Sequence, residues 1–241
     1  MASTPQKQKQ KQPQRRVAGP GIVLARPFGI PVHISPYWFV IAGVFTFTYA
    51  RYDLAPSLHG SIRYVIAAAF VILLYLSVLV HELSHSVVAR GFGLPVRRIL
   101  LWPLGGFSEI EREPQTPGRE FLVSAAGPAL SLALAAGGYG LTYLVTAGTI
   151  AGSLVSQLMW ANLVVGGFNL LPGLPLDGGR MLRAVIWKVT GRPGTSTIAA
   201  AWAGRVLALG LFVLVLAPPV ESRFGGDMYS VIWLAVVAAF M

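Results

Sequence analysis

Residues 63–89 read RYVIAAAFVILLYLSVLVHELSHSVVA, and the rest of the chain is best understood outward from them. The run is long and apolar enough for a membrane-crossing helix, which needs about 20 predominantly apolar residues. Its one acid is Glu82. An ionisable group at bilayer depth costs roughly 2.5 kcal/mol or more, so it marks a functional site by default. The compensation is local, because His81 and His85 stand at i and i+4 on one helical face and can turn a ring nitrogen toward the same metal ion. Glu82 is offset by about 100° from His81, placed to act as a general base rather than a ligand. With the residue frequencies of this chain, His-Glu-x-x-His is expected by chance about 0.002 times. A His pair on a helix can also do no more than bond neighbouring helices or hold a structural metal.

The composition agrees with a membrane protein. Of 241 residues, 54% are hydrophobic and 12% charged, against about 25% charged in ordinary soluble domains. Spans are expected at 32–50, 63–89, 121–145, 150–171, 199–216 and 228–241, an α-helical polytopic architecture of about six transmembrane helices. Residues 94–110, rich in β-branched and aromatic types around Pro103, Gly105 and Gly106, are expected as a short membrane-associated hairpin or edge strand between spans 2 and 3. Residues 1–25 read as a disordered basic cytosolic tail. Residues 26–241 read as one transmembrane domain with its catalytic core at about 62–190.

The net charge of +10 concerns topology and lipid rather than nucleic acid. Arg90, Arg97, Arg98, Arg112 and Arg119 follow the second span, and Arg180, Arg183, Lys188 and Arg192 follow the fourth. The opposite loops hold Arg51, Arg63 and Arg223. This excess puts the N-terminus and the site's opening in the cytosol of a multi-pass protein of the cell membrane.

Cysteine is absent, so thiolate zinc sites and catalytic thiols are excluded and any metal must use His, Asp or Glu. A catalytic zinc takes three protein ligands and keeps one position open. Asp177 is the third candidate, in the stretch Asn169-Leu-Leu-Pro-Gly-Leu-Pro-Leu-Asp177, whose prolines and glycines break the fourth span. Irregular backbone at membrane depth requires a polar cavity or burial in protein. The second and fourth spans both run inward, so His81, His85 and Asp177 arrive on one side, roughly 12 Å from the cytosolic end at 1.5 Å per residue. His33, at the start of the first span, and His59, in an external loop, fit a ligand role less well. Asn169 either bonds across helices or binds a substrate backbone.

These motifs resemble those of the site-2 protease family. His81-Glu82-x-x-His85 is similar to its first metal motif, and Asn169 to Gly178 to its second, with Asp177 at the third ligand's place. Pro103-Leu-Gly105-Gly106-Phe107 resembles the family's edge-strand loop, and Gly127-Pro-Ala-Leu-Ser131 its third-span motif. The resemblance is to a compact six-span type, since the loop between spans 2 and 3 is too short for the PDZ domain that some members insert. It implies an intramembrane zinc metalloprotease holding one Zn²⁺ per chain on His81, His85 and Asp177, with Glu82 catalytic. It also implies that Asn169, Gly105, Gly106 and Phe107 bind substrate, and that the partners are the bilayer and a single-span membrane protein, for instance an anti-sigma factor or similar regulator, with no nucleic acid. A metal or proton transporter and a proteolytically inactive membrane-binding relative are the other classes. A transporter needs a polar pathway to both faces, and an inactive relative usually lacks Glu82 or a ligand.

Overall fold

The computed structural model describes residues 21–54, 60–103 and 105–216. The chain starts with strands β1 (Ile22–Ala25) and β2 (Val32–Ile34), followed by α1 (Pro36–Thr48), which runs on into a π-helical turn at Tyr49–Asp53. Helix α2 (Ile62–Gly91) carries the opening stretch whole and leads into β3 (Val96–Trp102) and β4 (Gly105–Ile110). Helices α3 (Pro117–Thr142), α4 (Ile150–Asn169), α5 (Asp177–Thr190) and α6 (Pro193–Leu216) complete the described chain.

Local chemistry sets these boundaries. Proline stands at the first turn of α1 and α3, where its missing N–H costs nothing. The Thr116 hydroxyl accepts from the Arg119 N–H to cap α3, and the Thr149 hydroxyl accepts from the Gly152 N–H to cap α4. Gly191, at φ 68°, ends α5 in the left-handed conformation that glycine adopts without strain.

The expected spans at 63–89, 121–145, 150–171 and 199–216 correspond to α2, α3, α4 and α6. Four helices are long and apolar enough to cross a membrane among the described residues, namely Ile62–Gly91, Pro117–Thr142, Ile150–Asn169 and Pro193–Val213. The bounds of the expected first span move: Val32–Ile34 is strand, and the helical stretch runs from Pro36 through the π-helical turn to Asp53. An apolar strand leading into an apolar helix reads as one continuous run, because hydropathy does not register the change of backbone. The sixth expected span lies outside the described residues, as does His59. The fourth span does break, at Asn169. The basic cluster after it is not plain loop but the amphipathic helix α5.

The hairpin between the second and third spans is present and belongs to a larger sheet, in the order β1-β2-β3-β4. β2 lies parallel to β3, pairing Val32 with Ile99 and Ile34 with Leu101. β4 returns antiparallel, from Trp102 opposite Gly105 to Val96 opposite Ile110. The tail boundary therefore moves, since Ile22–Ala25 pairs with β2 instead of continuing the tail. Ile30, Val32, Ile34, Ile99 and Leu101 form a buried cluster packed on Val78, Leu79 and Leu83 of α2. The Tyr75 hydroxyl, also on α2, donates to the carbonyl of Pro103 at the β3–β4 turn. A second cluster of Ala89, Leu94 and Val123 ties the end of α2 to α3. The sheet is thus seated against the half of α2 that carries His81, Glu82 and His85.

Candidate metal centre

The α-helical repeat places His81 and His85 one turn apart on the side of α2 that faces α3, where they are 4% and 6% exposed. Asp177 is the first residue of α5, so it sits at the positive end of that helix, a position that favours an ionised carboxylate. Three ligand-type atoms converge. His81 Nε2 and His85 Nε2 are 3.2 Å apart, and each is 3.2 Å from Asp177 Oδ2. These are the only three His, Cys, Asp or Glu residues grouped closely enough to share an ion among the described residues.

The donor set fits zinc. Bonds of 2.0–2.1 Å in tetrahedral array imply ligand atoms about 3.3 Å apart, close to the spacing found here. The outer nitrogens of both rings are engaged: His85 Nδ1 lies 2.6 Å from the Val123 carbonyl oxygen, and His81 Nδ1 lies 2.9 Å from Ser131 Oγ. A carbonyl only accepts, so His85 carries its proton on Nδ1, and its Nε2 presents a lone pair to the centre. The same tautomer at His81 makes Ser131 its acceptor.

Helix α3 closes the site through Gly127. A Cβ there would overlap Nε2 of both His81 and His85, so only a glycine lets the backbone pass over the two rings. On the other side, Asp177 is held by a closely packed turn. A side chain on Gly179 would overlap the backbone of Gly173 and Leu174, and one on Gly204 of α6 would overlap the Leu174 carbonyl.

The Glu82 side chain packs against β4. Its Oε2 accepts from the Ser108 hydroxyl at 2.7 Å, and its side chain passes beneath Gly106, where a Cβ would overlap Cγ. Gly105 has open space around it and Phe107 is 61% exposed. β4 pairs with β3 alone in the sheet, so its far edge is free among the described residues. Asn169 ends α4 and donates its side-chain N–H to the Val165 carbonyl at 3.1 Å. His33 lies in β2, and His81, His85 and Asp177 group without it.

Charge is also organised on the side of the sheet and α5. The Glu109 carboxylate spans Arg97 at 3.0 Å and Arg98 at 2.7 Å. Burial alone would raise its pKa, but the hydrogen bond and charge of Arg98, with Arg97 behind, hold it below the ordinary glutamate value. Arg183 of α5 reaches Glu113 at 2.8 Å and the fully buried Glu120 at 3.2 Å. The hydrogen bond from Arg183 and its charge hold Glu113 low as well. Sequence reasoning assigned no site role to Ser108, Gly127, Ser131 or Arg183. Gly127 and Ser131 stood in a recognisable motif, whereas nothing local distinguished Ser108 or Arg183.

Comparison with known proteins bears directly on this arrangement. The profile of the family described as Peptidase family M50 matches residues 69–150 and 143–214, the stretch that contains both histidines and Asp177. The chain belongs to that family. It is 36% identical over 208 residues to the "Putative zinc metalloprotease sll0528" of Synechocystis, covering 81% of this chain and 53% of that protein. It is 37% identical over 228 residues to the "Putative zinc metalloprotease Rip3" of Mycobacterium tuberculosis, covering 91% of this chain and 56% of that protein. The chain therefore spans about half the length of these relatives. Among solved structures, the Site-2 Protease from Methanocaldococcus jannaschii matches with a TM-score of 0.63 and 30% identity over 91% of both chains. The M50 chain thus shares the site-2 protease fold, with its His-His-Asp group at the meeting of α2, α3 and α5.

Proposed function

We propose that this chain is an intramembrane zinc metalloprotease that hydrolyses peptide bonds in or near the transmembrane segment of single-span membrane proteins. The observation that carries the reading is the triangle of His81, His85 and Asp177, 3.2 Å on each side, with Glu82 next to His81 in sequence and hydrogen-bonded to Ser108 of β4. His81, His85 and Asp177 would hold one zinc ion, which when bound lowers the pKa of water and polarises a carbonyl.

The chain's own residues do the rest. Glu82 accepts a proton from the attacking water as oxygen adds to the scissile carbonyl carbon. It returns that proton to the amide nitrogen as the C–N bond breaks, so hydrolysis consumes one water and leaves the glutamate unchanged. A helical substrate hides its carbonyls in i to i−4 bonds and must unwind to be cut. The free edge of β4 at Gly105, Gly106 and Phe107 would hold it extended by strand addition, and Asn169 would bind the same segment. A membrane-anchored regulator, such as an anti-sigma factor, would be a substrate of this kind. By the arginine distribution, the protein is multi-pass in the cell membrane with its N-terminus and site on the cytosolic side.

The test is cleavage of a tagged single-span substrate by the purified protein in detergent, beside Glu82→Gln. Wild type should cut, and Glu82→Gln should retain one zinc while losing at least about 100-fold in rate, at the lower end of what proton transfer contributes. Substantial turnover by Glu82→Gln would remove the proton-carrier role, and a wild-type protein that binds no zinc would remove the metalloprotease.

A further inference from the structure

Ser108 of β4 makes a cluster of polar contacts with the metal helix, and one of them fixes Glu82. The Ser108 hydroxyl lies 2.7 Å from Glu82 Oε2 and 3.0 Å from the backbone carbonyl oxygen of the same residue. Behind it, fully buried Ser86 donates to Ser108 Oγ at 3.2 Å. A hydroxyl has one proton to give, and with Ser86 supplying the other bond, the Ser108 proton is free for Glu82. Between its two acceptors the shorter bond to the carboxylate is the stronger, because the acceptor is charged. Two residues along the strand, Gly106 leaves room for the Glu82 stem and no more. Gly106 and Ser108 therefore trap a side chain that otherwise has three rotatable bonds.

We infer that Ser108 is a positioning residue for Glu82, and that β4 thereby sets the distance between the proton carrier and any chain paired to its free edge. The inference rests on the proton-carrier role of Glu82. Both ends of that distance lie on one short strand: Gly105 and Phe107 alternate with Gly106 and Ser108, which face Glu82. A segment added to the edge is then in fixed register with the carboxylate, which a base carried only by a helix side chain would not secure.

The test uses the zinc-loaded protein and the single-span substrate assay together with a measurement that needs no turnover. Ser108→Ala should lower kcat about 10- to 100-fold, the scale of a misplaced catalytic group, with KM and zinc content unchanged. Ser108→Thr, which keeps the hydroxyl, should recover most of the loss, and Ser108→Cys, nearly isosteric but a weak donor, should behave like alanine. In substrate-free protein, the carboxylate infrared band obtained by subtracting the Glu82→Gln spectrum should shift in Ser108→Ala and return in Ser108→Thr. An unshifted band with wild-type kcat overturns the inference. So does a raised KM at constant kcat, which would make Ser108 a docking residue instead. If Glu82→Gln itself cleaves, the proposed mechanism fails, while the infrared shift still reports on the Ser108 contact independently.

Discussion

Gly127→Ala is the sharpest perturbation of the proposed metal centre, because it adds one carbon where the two candidate ligand rings already stand. The new Cβ would lie 2.5 Å from His81 Nε2 and 2.7 Å from His85 Cε1, and closer still to His85 Nε2. Comfortable contact is about 3.5 Å, so roughly 1 Å must be found against both rings. Neither ring yields cheaply, since His81 is tied to Ser131 and His85 to the Val123 carbonyl. Both ties belong to α3, so retreat of that helix breaks them, and rotation of the rings breaks the 3.2 Å triangle. Losing one such support typically costs 10- to 100-fold in metal affinity. Disturbing both should cost about 100-fold or more, about 2.7 kcal/mol at 1.36 kcal/mol per decade, within the range found for overpacking. The assay is zinc competition against a chelator of known affinity on purified protein in detergent. Gly137→Ala in the same helix, where nothing lies within 4 Å, is the neutral control. Zinc affinity of Gly127→Ala within about threefold of wild type, with the fold retained, would refute a centre built between α2 and α3 in this way.

Arg183→Ala should destabilise the protein by about 3 kcal/mol, because it removes the cation that lies 3.2 Å from Glu120, which is 1% exposed. Glu120→Gln in the same background should restore much of the loss in thermal unfolding, and an unchanged midpoint in Arg183→Ala alone would refute the pairing. A depressed carboxylate pKa stabilises the fold fully above the unfolded-state value and loses that contribution as pH falls through the folded one. Held low by Arg98 and Arg97, Glu109 should therefore contribute stability at neutral pH that fades below about pH 4. Glu109→Gln should flatten that limb of the melting-temperature profile, and a mutant profile parallel to wild type would exclude the contribution.

The second span, its metal pair and the break before Asp177 were legible without any structure. A charged residue in an apolar run is anomalous wherever it stands, and histidines at i and i+4 share a face in any helix. The hairpin was legible too, through β-branched and aromatic residues around a Pro-Gly-Gly turn. The four-stranded sheet was not. Val32–Ile34 pairs with Ile99–Leu101 across the whole of α1 and α2, and a short apolar strand carries no sign of so distant a partner. Nor was helix α5 legible in the basic cluster after the fourth span, since the approach of its Arg183 to Glu120 of α3 joins residues 63 apart in the chain.

The sequence by itself determined that a membrane-crossing chain carries two imidazoles and a carboxylate able to meet at one depth, because helix periodicity and loop charge act along the chain and are written there. Only the tertiary structure decided that the three ligand atoms stand 3.2 Å apart, that Gly127 lets α3 pass over the rings, and that Ser108 holds Glu82. Those facts are approaches between elements far apart in sequence, and packing alone sets them.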